Sequence, residues 1–331
     1  MRIVGSLLLV LALIFIAYLG AGPAGLKPLF GIVIPYIALA VFILGFLYKL
    51  IKWGRSYVPF RIPTTGGQQR SFPWIKWSKL DNPSTGAGVV GRMALEIFLM
   101  RSLFRNTRSE LVGSRLVHGS SKWLWMGAMA FHWAFFIVLL RHMRLFIDPV
   151  PGYVHFLESL DGFFQIGTPR LMLTGIILIG AGLYLFLRRW YIPQVRYISL
   201  PADYFPLFLI IAIATTGVLM RYFTKTDVVA VKTFLLSLMS FSPLIPEDGK
   251  IDTIFYIHLF LVSILLMYFP FSKLMHLGGI FMSPTRNMAN NLRVKRHVNP
   301  WDYPVKVHTY EEYEEEFRDK MKASGIPVEK E

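Results

Sequence analysis

Ala130-Phe-His-Trp-Ala-Phe-Phe-Ile-Val-Leu-Leu-Arg-His-Met-Arg144 places two histidines ten residues apart inside an apolar run that extends from Trp123 to Phe146. About 20 predominantly apolar residues suffice for a helix to cross the hydrocarbon core of a bilayer, so the run is expected to be a spanning helix. An ionisable side chain inside such a helix is costly to keep, which makes it a functional candidate by default. A second run, Ile254 to Phe271, opens a similar pattern: Tyr256-Ile-His258 begins it, and Lys273-Leu-Met-His276 follows eighteen residues on. Helical positions ten apart differ by about 80° and positions eighteen apart return to one face, so each helix can present both imidazoles to one bundle interior.

Working outward from these two runs, four more qualify as spans: Ile3 to Gly20, Leu29 to Ile51, Leu171 to Leu187 and Tyr204 to Met220. Pro23, Pro28, Pro193, Pro201 and Pro206 punctuate the connections. With 54% of its 331 residues hydrophobic, the chain is expected to be an all-α integral membrane protein of six transmembrane helices. Of 35 Lys and Arg, 27 fall on one side of this alternation: Arg2, thirteen between Lys49 and Lys122, Arg188, Arg189, Arg196 and ten from Lys273 onward. The positive-inside rule then places both termini on the cytoplasmic side of a cytoplasmic (inner) membrane. The net charge of +15 is therefore a topology signal and not a nucleic-acid footprint. Arg2, the apolar run and the small residues Ala21 to Gly25 resemble a cleavable signal, but the run Ile3 to Leu19 exceeds a usual signal core, so a retained helix is expected.

The third span runs outward and the sixth inward. His142 and His258 therefore share the outer side, while His132 and His276 share the inner side. The chain has no cysteine, which excludes disulfides, Cys-ligated iron–sulfur clusters and covalent haem attachment. Paired neutral imidazoles are a sensible six-coordinate haem ligand set, and two b-type haems stacked across the bilayer would form an electron wire. One feature strains this geometry. Ten residues of helix rise about 15 Å and eighteen about 27 Å, so the two helices must differ in tilt, bend at Pro270 or hold the haem planes obliquely. His276, just after Lys273, is placed at the membrane edge. His118, His297 and His308 lie in polar segments and are read as solvated. Two other function classes stay open on the residues alone: a transporter using the histidines as a proton relay, which the near absence of carboxylates within the spans disfavours, and a passive membrane anchor, which leaves the histidine pairs unexplained.

The chain divides into two N-terminal spans (1–52), a basic inner segment (53–121), a four-helix core (122–276) and a tail (277–331). Within the inner segment, Gly91 to Arg108 alternates apolar residues with arginines at helical spacing and is read as a basic amphipathic helix on the membrane surface. Val154 to Phe164 and Val228 to Phe241 are short interfacial candidates. The tail, with acids at Glu311, Glu312, Glu314, Glu315 and Glu316 among the aromatics Trp301, Tyr303, Tyr310 and Tyr313, has the composition of a segment that orders on another subunit or remains solvated.

The double spacing of His132, His142, His258 and His276 resembles the nitrate reductase gamma-subunit type of dihaem cytochrome b, over Trp123 to Leu277. Arg101-Ser-Leu-Phe-Arg-Asn-Thr107 and Asn299-Pro-Trp-Asp-Tyr-Pro304 are similar to one branch of that family, the membrane cytochrome of the Dsr complex of sulfate reducers, with the membrane cytochrome of heterodisulfide reductase as close neighbour. The resemblance implies a menaquinone-linked electron-transfer subunit of an oxidoreductase complex in sulfate or sulfite respiration. It would bind a cytoplasmic iron–sulfur protein related to heterodisulfide reductase. The wider assembly would include an outer multihaem cytochrome c, a second iron–sulfur protein and a second membrane subunit. The family's pattern has five helices, and the extra first span here is a candidate contact for a sister subunit. A quinone pocket needs an apolar slot with a few polar groups, and on the outer side the candidates are Arg141, Arg144, His155, Asp161 and Arg170. The arginines serve equally well as counter-charges to haem propionates or as interface-snorkelling side chains.

Overall fold

In hydrocarbon a chain must satisfy its own backbone, so long uninterrupted runs of Leu, Ile, Val, Phe and Ala close into helices. The computed structural model describes residues 2–56, 58, 61–62, 67–105, 108–164, 169–246, 249–294, 304 and 307–330. The first run forms α1 (Arg2–Ala21), and the second forms α2 (Ile34–Gly54), entered through a π-helical turn at Leu29–Val33. Pro35, which cannot donate a helical hydrogen bond, directly follows this π turn, where the regular bonding pattern is already interrupted.

The basic inner segment is more varied than a single amphipathic helix. Thr85 caps α3 (Gly86–Leu99) by accepting the Gly88 N–H, and the helix stops at Met100, whose φ of 46° is left-handed. The chain resumes as the single turn α4 (Arg101–Phe104). Glu96 holds this reversal by accepting from the backbone N–H and the hydroxyl of Ser102. An antiparallel hairpin, β1 (Arg108–Val112) and β2 (Arg115–Gly119), follows with Leu111 opposite Leu116 and Gly113 at positive φ in the turn. The helical reading of Gly91 to Arg108 thus overran the break at Met100, and the strands lie outside what the sequence reading foresaw.

The rest of the chain comprises α5 (Lys122–His142, continued by a 3-10 turn at Met143–Leu145), the short α6 (Gly152–Asp161), α7 (Leu173–Tyr191), α8 (Pro193–Ile198) and α9 (Pro201–Leu219, continued by a π turn at Met220–Thr224). The short α10 (Val228–Met239) precedes α11 (Thr253–Tyr268), two 3-10 turns, α12 (His276–Gly279) and α13 (Tyr310–Ala323). Among the described residues, six helices are long and apolar enough to cross a membrane, at the six positions expected. The molecule is an all-α integral membrane protein apart from the hairpin.

Packing runs α5 on α7, α7 on α9 and α9 on α11, with α1 seated on α9 and α11, and α2 on α11. The principal core joins Val10 and Ala17 of α1 to Tyr204 and Leu209 of α9 and to Tyr256 and Leu261 of α11. The first span therefore belongs to this bundle along one face, while Leu8, Phe15 and Ile16 remain exposed on it. The histidine-bearing helices α5 and α11 are not a closely packed pair: they face each other across the four-helix core. In the tail, Thr309 and Glu312 form a reciprocal cap on α13, and the buried Glu314 carboxylate accepts the N–H groups of Glu329 and Lys330, folding the last described residues back along the helix. Trp301 and Tyr303 lie outside the described residues.

Candidate functional site

The gap between α5 and α11 is bridged by imidazoles. His142 and His258 have ring centroids 6.4 Å apart with planes inclined by 8°, and His132 and His276 have centroids 5.9 Å apart with planes inclined by 82°. The expected pairs are therefore the pairs the fold brings together.

The rise mismatch is resolved by a bend. α11 ends at Tyr268, ten residues after His258, which is a rise of about 15 Å and matches the His132 to His142 interval. Pro270 then directs the chain into a 3-10 turn, and Ser272 is fully extended (φ −120°, ψ 177°) before a second turn leads to His276. Proline cannot donate the helical hydrogen bond and crowds the preceding turn, so the helix ends there. His276 thus belongs to the short α12 and not to the spanning helix. α2 fixes the bent segment: a Cβ built on Gly45 would lie 2.7 Å from Pro270 Cβ, and one on Gly278 would lie 3.1 Å from Leu50. At Gly45 an added Cβ would force a shift, and at Gly278 the end of the Leu50 side chain would have to give way. His276 itself is exposed, in keeping with a place at the membrane edge.

Each ring is oriented through Nδ1. His132 Nδ1 bonds the Ala128 carbonyl (2.8 Å), His142 Nδ1 the Val138 carbonyl (2.7 Å) and His276 Nδ1 the Lys273 carbonyl (3.0 Å). Carbonyls only accept, so these nitrogens carry the proton. For His258 the partner is Thr216 Oγ1 at 2.9 Å, and that hydroxyl donates to the Ala212 and Ile213 carbonyls, so it too accepts from His258. All four histidines therefore keep an unshared Nε2 lone pair with no protein partner among the described residues. Metal-bound imidazoles are oriented in this way through the ring N–H that faces away from the metal. Two metal–nitrogen bonds of about 2 Å, with roughly 1 Å from each nitrogen to its ring centre, put paired centroids about 6 Å apart, which fits both pairs. The residues present fit two bis-histidine haems.

A cleft of about 190 Å³ opens beside His142, lined by Val138, Leu145, Met172, Gly217, Val218 and Met220 among apolar groups and by Arg141, Arg144, Glu158, Arg221 and Tyr222 among polar ones. Arg141 is paired with the buried Asp161, which also accepts from the backbone N–H (2.7 Å) and hydroxyl (2.5 Å) of Thr174 at the start of α7. Asp161 is saturated by this network and joins α5, α6 and α7. Arg144 pairs with Glu158 at 2.6 Å. His155 is exposed and does not line the cleft. Arg170 has an exposed side chain, and its carbonyl accepts from Tyr222 Oη (3.3 Å) and Arg221 (3.4 Å). Of the remaining histidines, His308 is exposed, His297 lies outside the described residues and the side chain of His118 is likewise not described.

The sequence reading missed Glu158, Thr216, Arg221 and Tyr222. Thr216 and Gly217 had a signal, a polar and a small residue together in an apolar span. Arg221 and Tyr222 lie on the π turn that ends α9, an irregularity common at functional sites but without a sequence mark of its own.

The chain matches the nitrate reductase gamma subunit family over residues 91–297, a longer stretch than the histidine spacing alone suggested. The Hdr-like menaquinol oxidoreductase cytochrome b-like subunit of Archaeoglobus fulgidus is 47% identical over 279 residues, 83% of each chain. The protein of the same description from Archaeoglobus profundus is 43% identical over 275 residues, 81% of each chain. With two imidazole pairs joined across a helical bundle and this extent of likeness, the chain belongs to the nitrate reductase gamma subunit family of membrane cytochromes b.

Proposed function

We propose that this chain is the dihaem cytochrome b subunit of a menaquinol-oxidising complex, passing electrons to a cytoplasmic iron–sulfur subunit related to heterodisulfide reductase. The observation that carries the proposal is the set of four imidazoles, paired at 6.4 and 5.9 Å with every Nδ1 already bonded. The two Archaeoglobus relatives, described as Hdr-like menaquinol oxidoreductase subunits, support the choice of donor and of complex. Service in sulfate or sulfite respiration, with further membrane, iron–sulfur and multihaem cytochrome c subunits, rests on the resemblance to the Dsr branch.

His142 and His258 hold the outer position, and His132 and His276 the inner one, with both chain termini in the cytoplasm of the cytoplasmic membrane. Bound there, two low-spin haems supply one-electron transfer from one face of the bilayer to the other. The Nδ1 bonds give each imidazole one tautomer and a fixed orientation. Menaquinol occupies the cleft beside His142, between the apolar walls of Val138, Met172 and Val218. The Arg144–Glu158 pair is the cleft's polar pair, and Glu158 is placed to accept a quinol hydroxyl proton for release on the outer side. Arg141, neutralised by Asp161, holds the wall beside His142. A proton relay is disfavoured because all four Nδ1 atoms are tied to acceptors.

The test is a dithionite-reduced minus oxidised spectrum of the purified protein with pyridine haemochrome quantitation. The expected result is about two low-spin b haems per chain. His142→Ala and His258→Ala should abolish one and the same haem, and His132→Ala and His276→Ala the other. A folded preparation without haem, or partners that lose different haems, overturns the reading.

A further inference from the structure

The segment Arg70-Ser-Phe-Pro-Trp-Ile-Lys-Trp-Ser-Lys-Leu80 lies before the family match, which begins at residue 91, and the proposed electron path makes no use of it. Its surface is unusual. Phe72 and Trp74 stack with ring centroids 4.8 Å apart and planes inclined by 4°, yet remain 59% and 78% exposed. Arg70 and Lys79 lie over the neighbouring Trp77 ring at 5.1 and 5.6 Å, and Lys76 is exposed. No acidic residue occurs between 70 and 80, and the first one after it, Asp81, is occupied by Ser78 (2.8 Å), Arg105 (3.1 Å) and Arg101.

The loop is also tied to the end of the bundle that carries His276. Asn82 pairs with Asn290 at 2.9 Å, and the Asn290 N–H donates to the Pro83 carbonyl at 2.7 Å. Its neighbour α3 lies against α5, where the indole N–H groups of Trp125 and Trp133 donate to the Leu99 and Phe98 carbonyls (2.7 and 3.1 Å). An apolar wedge of aromatic rings flanked by cations that have no acidic partner among the described residues, attached where spanning helices end, has the chemistry of a loop that enters the headgroup layer. The rings suit the amphipathic interface and the cations suit anionic lipid. We propose that residues 70–80 are an anionic-lipid anchor, with Phe72 and Trp74 seated among the headgroups and Arg70, Lys76 and Lys79 neutralising lipid phosphates.

The absence of native cysteine allows single nitroxide labels at Phe72→Cys and Leu80→Cys, with Glu316→Cys on α13 as an aqueous control. The full chain is reconstituted in nanodiscs of phosphatidylcholine with or without phosphatidylglycerol. Label relaxation by oxygen is then compared with that by a water-soluble nickel chelate. With phosphatidylglycerol the two loop labels should favour oxygen and the control the chelate, and without it the loop labels should move toward the control. In an R70Q/K76Q/K79Q background the docked-to-free ratio should fall roughly fivefold per cation removed. Loop labels as aqueous as the control in both bilayers overturn the proposal. So does an oxygen preference indifferent to both lipid charge and the triple change, or shielding that needs co-purified subunits, which would make the loop a protein-docking surface.

Discussion

At the scale of single residues, orientation of the imidazoles depends on groups that carry no charge. Thr216 is the sole side-chain acceptor among the four Nδ1 bonds, so Thr216→Val should weaken outer haem retention by roughly 10–100-fold while Thr216→Ser retains it. Haem content during competition with apomyoglobin reads this directly, and an unchanged outer haem in the valine variant would remove Thr216 from the site. Asp161 poses a different problem, since it is buried between Arg141 and Thr174. Asp161→Asn leaves Arg141 uncompensated, and breaking a buried pair costs about 3–5 kcal/mol. Thermal unfolding should shift down, and in potentiometric titration the outer haem should become easier to reduce because a positive charge near it is no longer cancelled. Equal potentials in the two proteins would mean that Arg141 does not reach the site electrostatically. His132, His142 and His258 were legible from sequence because an ionisable residue has few reasons to persist within a spanning helix, and His276 by its spacing of eighteen from His258. Glu158 was not, and Thr216 only as a polar residue beside a glycine in an apolar span, because a threonine or a glutamate acquires such a role through the helix that lies opposite.

At the scale of elements, the bend after α11 decides where the inner pair forms, and α2 maintains it through close contacts at Gly45 and Gly278. Gly45→Val would press on Pro270, whose Cβ lies 2.7 Å from the first added atom. Overpacking of this kind costs about 1–3 kcal/mol. Inner haem should be lost in preference to outer haem, as followed by low-temperature optical spectra of the separate α-bands. Retention of both would show that the bend tolerates displacement. The loop before α3 is held by a different means. Hydrogen bonds from Arg101 and Ser78 keep the Asp81 carboxyl below its ordinary range, against the opposing effect of burial. A carboxyl with a depressed folded value contributes stability that is complete above its unfolded pKa of about 4 and is lost as pH falls through the lower folded value. Protection factors for hydrogen exchange at Ser78 and Asn82, whose amides bond Gln68 and Ser78 carbonyls at 2.9 Å, should fall across that acidic window while the spans stay protected. Protection factors that are flat with pH would assign the loop's order to other contacts. Helix existence was legible because apolar runs of spanning length permit little else in a bilayer. The hairpin at Arg108–Gly119 was hidden within a segment of mixed charge, where the arginine spacing of the preceding helix continues past its break.

At the scale of the whole molecule, six spans, the pairing of α5 with α11 by histidine and the basic character of one face followed from sequence alone. Each of these rests on a property that accumulates along the chain: hydropathy over about 20 residues, charge over whole loops, and helical periodicity between histidines. The tertiary structure decided what depends on contacts between distant segments. It set the gap left between α5 and α11, the bend that brings His276 within 5.9 Å of His132 and the neutralisation of Arg141 by Asp161. It also assembled a cleft from five separate elements beside His142. The physical reason for the division is that burial in lipid constrains each helix by its own composition, whereas the position of a side chain in a site is set by the partners that several helices bring to it.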